Sequence, residues 1–375
     1  MTIITNVQIY TEDSTFIKGT IMISHGVFVS DQTSYDDVTI IDANGKYAIP
    51  GLCDIHLHAC NGHDFCEASV DAIHAIAKYE AQNGITSFCP TTMTLPAKQL
   101  KMICASASAF QADPSEASLI GVNLEGPFLS AQKCGAQNKE YLSAPAPSLV
   151  RELNQEAAGL IRLITIAPEL PGAIDFIHEL KNDFMISAGH TMADYSTCMR
   201  AFDAGITHVT HLYHAMPPFS HRAPGLIGAA ADTNGVSVEL ICDGIHSDPA
   251  AIRMAFKLFS KKQIILISDS MMATGLSDGE YTLGDQQVLV NGKLATLKDG
   301  TIAGSVSNLF DCLTNAVNFG IPLEDAVRCA TMNPAKALGI YQKTGSIAPG
   351  KTADLLLLNQ DLSLDSVFIR GVKLK

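Results

Sequence analysis

Eight short apolar runs, separated by segments with helical periodicity, constrain the fold of this chain more than any other feature. We place the runs at residues 47–58, 85–91, 119–125, 163–169, 184–190, 208–214, 236–241 and 264–269. Between them, residues 70–82 carry apolar side chains at helical spacing, and Gly205 follows residues 193–204 as a helix stop. Strands that alternate with helices predict a parallel sheet, although a doubly wound open sheet gives a similar pattern. We expect a (β/α)8 barrel.

Both ends of the 375-residue chain show short strand-like runs instead of helical periodicity. The N-terminal runs lie at residues 3–10, 19–23, 27–29 and 38–41, and the C-terminal runs lie within residues 345–359 and 366–372. Neither end holds enough apolar residues for a core of its own. We therefore expect residues 1–47 and 341–375 to combine into one small β-sandwich, and residues 48–340 to form the (β/α)8 domain.

Charge and cysteine content bound the partners and the compartment. A formal net charge of −13 and a pI near 5.3 argue against nucleic acid or an anionic membrane as the main partner. The first residues lack the basic and apolar segments of a secretory signal, and no apolar run is long enough to span a bilayer. The ten cysteines form no Cys-x-x-Cys pair, and those in apolar runs, such as Cys89 and Cys242, are expected to be reduced core residues. We expect a cytoplasmic protein.

Side chains that can bind metal gather at the C-terminal ends of the predicted strands. His56 and His58 lie two residues apart, so a β-strand places both imidazoles on one face. Two imidazoles held in this way form half of a site for zinc or iron, although two buried histidines bonded to the backbone explain the pair equally well. The other strand ends carry Glu125, His190, His211 and Asp269. Because a barrel brings these ends together, we expect a metal site.

Seven short segments resemble the motifs of one family. They are His56-x-His58, Leu124-Glu-Gly-Pro-Phe128, Ser187-Ala-Gly-His190, Thr210-His-Leu-Tyr213, Asp243-Gly-Ile-His246, Ser268-Asp-Ser270 and Ala303-Gly-Ser305. In order and over nearly the whole chain, they resemble the amidohydrolase superfamily, and within it the N-acetylglucosamine-6-phosphate deacetylase family. The resemblance implies an amidohydrolase-type barrel with a split β-sandwich, and hydrolysis of the N-acetyl group of an amino-sugar phosphate.

The resemblance also implies a set of metal ligands. Glu125, His190 and His211 would bind the principal divalent ion. His56 and His58 would hold a second ion, since some members of the family lack this pair and use one metal. We therefore expect one or two ions of zinc, iron or manganese per subunit.

Asp269 is the residue that we expect to move protons. An amide is a poor electrophile with a poor leaving group, so its hydrolysis needs an activated water, a polarised carbonyl and a proton for the departing amine. The Asp269 carboxylate is expected to take the proton of the water and to deliver one to the sugar amine. The alternatives for Asp269 are a structural carboxylate and a further metal ligand.

The expected substrate contacts follow from the same resemblance. His246 and Arg222 match positions that bind the sugar phosphate or the amide region, some of them across a dimer interface, so we expect a homodimer. Arginine suits phosphate because its planar guanidinium can donate two parallel hydrogen bonds. Gln137, His214 and Ala215 are the other expected contacts. A solvated surface Arg222 and ordinary loop polarity at Gln137 are the competing interpretations.

Several positions depart from the family pattern. His214 stands where an asparagine is usual, Ala223 stands where an acid is typical, and Ser247 and Lys133-Cys134 are also atypical. These changes concern the sugar and its phosphate, so N-acetylgalactosamine-6-phosphate is an alternative substrate. The metal ligands and Asp269 are unaffected.

Two other classes of function stay open beside the deacetylase. A cyclic amidase or deaminase can use the same barrel, although the glutamate of the third strand and the loop of His246 argue against it. A non-enzymatic scaffold would have no reason to keep four metal and proton carriers together. Two further strand-end residues receive lesser roles: His208 is expected to face the helices, because its strand parity is opposite to that of His211, and Glu169 is the second choice of carboxylate ligand.

Overall fold

The computed structural model describes residues 1–30 and 37–375, so residues 31–36 of the predicted terminal domain lie outside the described residues. The strands, in chain order, are β1 (Thr2–Tyr10), β2 (Phe16–Ser24), β3 (Val27–Val29), β4 (Thr39–Asp42), β5 (Tyr47–Pro50), β6 (Leu52–Leu57), β7 (Ala59–Cys60), β8 (His63–Asp64), β9 (Ile85–Thr92), β10 (Ser118–Leu119), β11 (Val122–Glu125), β12 (Ile161–Ile166), β13 (Met185–Ala188), β14 (His208–Val209), β15 (Ser237–Ile241), β16 (Ile264–Ile267), β17 (Gly279–Leu283), β18 (Gln286–Asn291), β19 (Leu294–Thr296), β20 (Leu355–Leu358), β21 (Leu364–Ile369) and β22 (Val372–Lys373). The helices are α1 (Val70–Gln82), α2 (Ala97–Ala109), α3 (Pro147–Glu156), α4 (Ala173–Leu180), α5 (Tyr195–Ala204), α6 (Gly225–Asp232), α7 (Pro249–Leu258), α8 (Leu309–Asn318), α9 (Leu323–Ala330) and α10 (Met332–Ala337). Short 3-10 turns lie at Phe65–Glu67 and Lys139–Tyr141.

Eight parallel strands form the barrel that the alternation of strands and helices predicts. They pair in the order β6, β9, β11, β12, β13, β14, β15 and β16. The last and first strands meet through backbone hydrogen bonds just beyond their ends: Asp269 N donates to His56 O, and His58 N donates to Ser270 O, both at 2.9 Å. The expected (β/α)8 barrel is therefore confirmed, and the doubly wound open sheet is excluded.

The first predicted strand, residues 47–58, is wrong as a single element because it divides at Gly51. Tyr47–Pro50 pairs with β1 and β20 in the sheet of the chain ends, whereas β6 belongs to the barrel. Gly51 N donates to Asp354 O at 2.9 Å, and a Cβ atom on Gly51 would lie 2.1 Å from Thr86 Oγ1 in β9. Only glycine leaves room for the chain to cross from one sheet to the other at this point.

The two ends of the chain share a second sheet, as expected. Its strands pair in the order β22, β21, β20, β5, β1, β2 and β3, and β4 pairs with β1. The antiparallel pairing of β5 with β20, in which Ala48 lies opposite Leu357, joins the N-terminal and C-terminal segments. The buried side chains of this sheet form a core of their own: Ile4, Val7, Ile21, Ile23, Phe28, Ala43, Ala48, Ala353, Leu355, Leu357 and Phe368. The shared core provides the apolar burial that neither end has alone.

Capping residues determine where two of the barrel helices begin. α1 has the predicted bounds, and Ser69 Oγ accepts a hydrogen bond from the first turn of that helix. α5 begins two residues later than predicted because Asp194 caps it, with its side chain accepting a hydrogen bond from Thr197 N at 2.8 Å. The apolar pattern therefore places the helices, while a single polar side chain sets the first residue of each.

The barrel interior is divided into an apolar part and a polar part. The apolar part is an aliphatic cluster of Cys53, Ile55, Cys89, Ile241, Ile265 and Ile267. The polar part contains buried Asn123, Thr165, Ser187, His208, Thr210 and Glu239. Asp269 lies two residues beyond Ile267, just past the C-terminal end of β16, and its side chain is buried beside the histidines at that end. The barrel is thus a packed core, and its reactive groups collect at one end.

A three-stranded antiparallel sheet, β17 to β19, follows the last barrel strand and is absent from the strands predicted from the sequence. The turn between β17 and β18 is held on two sides. Gly284 N donates to Asp64 Oδ2 at 2.9 Å, and Asn138 Nδ2 donates to Asp285 Oδ2 at 2.7 Å. Because Asp64, in β8, and Asn138 lie in the segments that follow β6 and β11, the inserted sheet forms a wall above the C-terminal ends of the barrel strands.

All ten cysteines are free thiols, and nine of them are buried. This agrees with the expectation of reduced core residues. Within residues 1–30 and 37–375, no helix has both the length and the apolar character that a membrane crossing requires.

Candidate metal centre

Six buried side chains from five barrel strands converge at the C-terminal end of the barrel. They are the predicted metal ligands and the predicted proton carrier: His56, His58, Glu125, His190, His211 and Asp269. Each lies at the end of its strand or in the first residues after it. Closure of the barrel therefore brings together groups that are far apart in the sequence.

Ring nitrogens of two histidines meet the carboxylate of Glu125. His190 Nε2 and His211 Nε2 each lie 3.0 Å from Glu125 Oε1, and the two nitrogens lie 3.0 Å from each other. His190 Nδ1 donates to Lys133 O at 2.9 Å, so the neutral His190 ring presents an unprotonated Nε2 to this point. Acceptors gathered in this way repel one another unless a cation or protons lie among them.

The histidine pair forms a second group of ligands next to the first. His58 Nε2 lies 3.2 Å from Asp269 Oδ1 and 3.4 Å from Glu125 Oε2. His56 Nε2 lies 3.6 Å from an oxygen of each carboxylate and, within the described residues, has no hydrogen-bond partner although it is buried. Thr91 O accepts a hydrogen bond from His58 Nδ1 at 3.2 Å, which leaves His58 Nε2 available as a ligand. Both imidazoles therefore direct a lone pair into the centre.

The donor set fits a divalent transition metal. At this centre, two groups have ligand atoms that all lie within 4.8 Å of one another, namely His56 with Glu125 and His211, and His56 with His58 and Asp269. Imidazole and carboxylate ligands suit zinc, iron and manganese. A cation would satisfy both the buried Nε2 of His56 and the close acceptors around Glu125. The residues present therefore fit one metal ion or two.

Glu239 orients the centre, although the sequence pattern does not predict this role. Its carboxylate accepts hydrogen bonds from His56 Nδ1 at 2.9 Å, His208 Nε2 at 3.0 Å and His211 N at 3.0 Å. Burial favours the neutral acid, but His56 and His208 outweigh burial and lower the pKa of Glu239 to about 2. The ionised Glu239 keeps the His56 proton on Nδ1 and so directs Nε2 at the metal centre. The available signal was the one acidic residue within the apolar run 236–241.

His208 lies inside the barrel, so the expectation that it faces the helices is wrong. That expectation compared the strand parity of His208 with that of His211. However, β14 ends at Val209, and His211 already lies beyond the strand with a φ of 25°. Parity holds only along a continuous strand. His208 instead bonds to Glu239 and, through Nδ1, to Ser237 Oγ at 2.6 Å.

The acidic and basic groups of the centre hold each other in their charged forms. Burial opposes ionisation of Asp269, yet His58 and the neighbouring imidazoles hold the pKa of Asp269 well below its usual range. Burial likewise opposes protonation of His58, yet Asp269 and Glu125 raise the pKa of His58 to about 9. A metal ion competes with the proton for the same lone pair of His58, so metal binding is expected to release protons.

Three residues of the centre have left-handed backbone conformations. The φ angles are 46° at His190, 25° at His211 and 51° at Asp269. Residues with a Cβ atom rarely adopt such angles, and each instance costs on the order of 1–3 kcal/mol. Strain of this kind is typical of sites where the surrounding structure holds a side chain in a functional position.

A cavity of about 790 Å³ opens onto the metal centre. Its walls include Lys133, Lys139 and His246, together with one acid outside the centre, Asp299, and parts of the inserted sheet. Two lysines and a histidine provide a local positive potential in a protein whose net charge is −13. The cavity can therefore attract an anionic group in spite of the overall charge.

Four of the five predicted substrate contacts line this cavity: Gln137, His214, Ala215 and His246. Gln137 also contacts the metal centre directly, since its Nε2 donates to Glu125 Oε2 at 2.8 Å while its Oε1 accepts from Thr94 N at 2.6 Å. Arg222 does not join the other four, because it is exposed and lies outside the cavity walls formed by the described residues. The roles of all five residues stay predictions.

His246 and His214 stand side by side in the cavity wall, with ring centroids 5.2 Å apart. Asp243 Oδ2 accepts a hydrogen bond from His246 Nδ1 at 2.7 Å, and although burial opposes it, Asp243 raises the pKa of His246. Burial and the nearby His246 have the opposite effect on His214 and lower its pKa to about 3. The wall therefore combines an imidazole that favours the charged form with one that is neutral.

Glu169, the second choice of carboxylate ligand, does not reach the metal centre. Its two carboxylate oxygens accept hydrogen bonds from Thr191 Oγ1 and, at 2.6 Å, from Met192 N. Glu169 therefore orders the segment that follows His190 and leaves Glu125 as the carboxylate at the centre of the histidines.

The chain belongs to the amidohydrolase family, whose family model matches residues 47–374. The fold and the cluster of histidines and carboxylates agree with this membership. The resemblance that the sequence motifs indicate is therefore confirmed.

Curated relatives and solved structures narrow the comparison further. The N-acetylglucosamine-6-phosphate deacetylase of Bacillus subtilis (strain 168) is 39% identical over 329 residues, which cover 86% of this chain and 83% of that protein. The human deacetylase of the same name is 31% identical over 343 residues, covering 88% and 84%. A mutant N-acetyl-D-glucosamine-6-phosphate deacetylase from Mycobacterium smegmatis, solved in complex with N-acetyl-D-glucosamine-6-phosphate, has a TM-score of 0.90 at 31% identity and covers 100% of this chain and 98% of that one.

Proposed function

We propose that this chain hydrolyses the N-acetyl group of N-acetylglucosamine-6-phosphate to give glucosamine-6-phosphate and acetate, as a metal-dependent enzyme of cytoplasmic amino-sugar catabolism. The observation that carries the proposal is the convergence of Glu125, His190, His211 and Asp269 beside a cavity whose wall holds His246. The names of the relatives, and the ligand of the Mycobacterium smegmatis structure, support this choice of substrate.

The metal would be held by the ligands that surround Glu125. Glu125, His190 and His211 would bind the principal zinc, iron or manganese ion, and His56 and His58 would hold a second one. A divalent ion bound there supplies Lewis acidity, which polarises the amide carbonyl and makes water a better nucleophile at neutral pH. Glu239 keeps the His56 lone pair directed at this point, and Gln137 holds the Glu125 carboxylate in place.

Asp269 would carry the proton of the reaction. Its low pKa keeps it ionised before water attacks, so that it can accept the proton of that water. When the bond between the carbonyl carbon and the amide nitrogen breaks, the same carboxyl group returns a proton to the departing sugar amine. Asp269 Oδ1 lies 3.2 Å from His58 Nε2, so the carboxylate stands at the metal centre, where both transfers take place.

The phosphate of the substrate would bind at the basic side of the cavity. His246 favours its charged form because of Asp243, and Lys133 and Lys139 add positive potential. Arg222 lies outside the cavity walls of the described chain, so we place it at the phosphate of a neighbouring subunit in a homodimer. Size-exclusion chromatography with light scattering checks this point, because a fully active monomer would remove the role of Arg222.

His214 supports one second candidate, the deacetylation of N-acetylgalactosamine-6-phosphate. The imidazole lies in the cavity wall where the family usually has an asparagine, and it can change which sugar epimer fits. The chemistry at the metal centre would be the same for both substrates.

Measurement of acetate release separates these candidates. The substrates are N-acetylglucosamine-6-phosphate, its galacto epimer and the two unphosphorylated sugars, each tested with zinc, iron or manganese. We expect the highest kcat/KM on N-acetylglucosamine-6-phosphate and none in metal-free protein. Turnover of the unphosphorylated sugars alone would defeat the assignment of Arg222 and His246, and a lack of acetate release from every substrate would defeat the proposed function.

A further inference from the structure

Ser247 and His214 are neighbours whose contact the reaction described above does not use. Ser247 Oγ lies 3.2 Å from His214 Nε2, and only 5% of Ser247 is exposed. His214 lines the cavity whereas Ser247 does not, so the hydroxyl holds the imidazole from behind.

The direction of this hydrogen bond follows from what the hydroxyl can do. A buried serine hydroxyl carries one proton that needs an acceptor. Among residues 1–30 and 37–375, the hydrogen-bond partner of Ser247 Oγ is His214 Nε2. At a pH of about 8 an ordinary imidazole is neutral, and it accepts on Nε2 only when its proton is on Nδ1. The arrangement that satisfies Ser247 therefore protonates His214 on Nδ1.

The Nδ1 atom of His214 is available to a ligand. In the part of the chain that the structure describes, this atom has no hydrogen-bond partner. It is also accessible, since it is not among the fully buried polar atoms that lack a partner. The adjacent ring is His246, whose own Nδ1 proton is taken by Asp243. The His214 donor thus stands beside the imidazole that we place at the substrate phosphate.

We propose that Ser247 is a positioning residue that holds His214 in the Nδ1-protonated tautomer, so that His214 donates a hydrogen bond to the phosphate of the substrate. This inference rests on the proposed function. Phosphate oxygens only accept hydrogen bonds, so they attract the Nδ1–H form and repel the form with a lone pair on Nδ1. The serine thereby gives a neutral ring the polarity that an anion requires.

Nitrogen-15 nuclear magnetic resonance of the histidine rings tests the tautomer without an activity assay. The His214 signals are identified by their loss in His214→Asn. We expect a protonated Nδ1 and an unprotonated Nε2 in the unchanged protein and in Ser247→Thr, and a shift of the proton towards Nε2 in Ser247→Ala. A His214 that carries its proton on Nε2 in the unchanged protein would overturn the inference.

Steady-state kinetics test the consequence for the substrate. One lost neutral hydrogen bond corresponds to roughly a five- to tenfold effect, so Ser247→Ala should raise KM for the phosphorylated sugar by about that factor while kcat stays within about twofold. KM for the unphosphorylated sugar should not change, and Ser247→Thr should restore the original KM. Ser106→Ala is the matched control, because it removes a buried hydroxyl of α2 whose hydrogen-bond partner among the described residues is Ile103 O of the same helix.

The outcomes distinguish the inference from the proposed function. If the unchanged protein releases no acetate from any substrate, the proposed function itself fails. If it does release acetate, but Ser247→Ala alters phosphorylated and unphosphorylated sugars equally or not at all, the positioning role of Ser247 is wrong while the proposed function stands.

Discussion

Replacement of Glu239 by glutamine would test how far one buried carboxylate builds the metal centre. Glutamine has nearly the same shape and removes the negative charge. Three N–H groups point at Glu239: His56 Nδ1 at 2.9 Å, His208 Nε2 at 3.0 Å and His211 N at 3.0 Å. A carboxylate accepts from all three, whereas an amide offers one oxygen and directs its own NH2 group at the remaining donors.

The size of the effect follows from the way these contacts are divided. His208 bonds to Oε1, while His56 and His211 bond to Oε2, so either orientation of the amide leaves one or two buried N–H groups without an acceptor. Each such group costs about 1–3 kcal/mol. Loss of a residue that orients a metal ligand typically weakens metal binding by about 10- to 100-fold. We expect Glu239→Gln to show losses of both kinds, because a neutral amide oxygen holds the His56 proton on Nδ1 less strongly than a carboxylate does, and in one of its two orientations it does not accept that proton at all.

Two measurements on purified protein check this prediction. Urea unfolding of the metal-free protein gives the change in the free energy of unfolding. Competition with a chromophoric chelator gives the dissociation constant of zinc. Glu156→Gln is the matched control, because it makes the same chemical change at an exposed position at the end of α3 and should leave both quantities unaltered.

A folded Glu239→Gln variant that binds zinc within about twofold of the original affinity would refute the reasoning. It would mean that His56 and His211 are oriented without the carboxylate, and that the three hydrogen bonds to Glu239 serve only the packing of the barrel interior. A large loss of stability with unchanged metal affinity would lead to the same conclusion.

Three further predictions concern other parts of the molecule. Gly51→Ala should lower the free energy of unfolding, measured by urea denaturation, by about 1–3 kcal/mol, because the new Cβ atom meets Thr86 Oγ1 at 2.1 Å. Adding Thr86→Ala should recover part of this loss, and a Gly51→Ala variant as stable as the original protein would contradict the close approach. Asp269→Asn should keep its metal but lose about 10²- to 10⁴-fold in kcat. Metal content and acetate release are measured on the same sample, and near-normal turnover would show that another group moves the proton. Burial raises the pKa of Asp354 from 3.8 to about 6, although a hydrogen bond from Arg370 N opposes the shift. The folded protein therefore favours the neutral Asp354, whose contribution to stability is fully present below about pH 4 and is lost as the pH rises through 6. Between pH 4 and pH 8, the free energy of unfolding of Asp354→Asn should therefore rise relative to that of the original protein by up to about 3 kcal/mol. A difference between the two proteins that does not change with pH would contradict this pKa shift.

The barrel and the position of its reactive end were predictable from local patterns. Apolar runs with strand character alternate with helical segments, and a polar residue suited to metal or proton chemistry stands at the end of several runs, as Glu125, His190 and Asp269 do. Such patterns depend on the two-residue and 3.6-residue periods of the backbone, which are visible along the chain. The bounds of α1 could be predicted for the same reason.

Contacts between distant segments could not be predicted in this way. In the sequence, Glu239 is one polar residue in an apolar strand. Its role arises only when barrel closure brings His56 and His208 to its oxygens. His208 was predicted to lie on the wrong face of its strand because the strand ends two residues before His211. Where a strand ends depends on the neighbouring strands. The inserted sheet β17–β19 and the contact of Ser247 with His214 arise from loops whose course the apolar pattern does not describe.

By itself, the sequence determined the class of fold, the pairing of the two chain ends and the chemical types that occupy the strand ends. Only the tertiary structure decided which ring nitrogens lie 3.0 Å from Glu125, which carboxylate keeps the His56 proton away from the metal centre, and which predicted contact, Arg222, lies outside the cavity walls that the described residues form. The physical reason is that periodicity and residue type are local properties. Hydrogen-bond direction and burial depend on which strands become neighbours when the barrel closes.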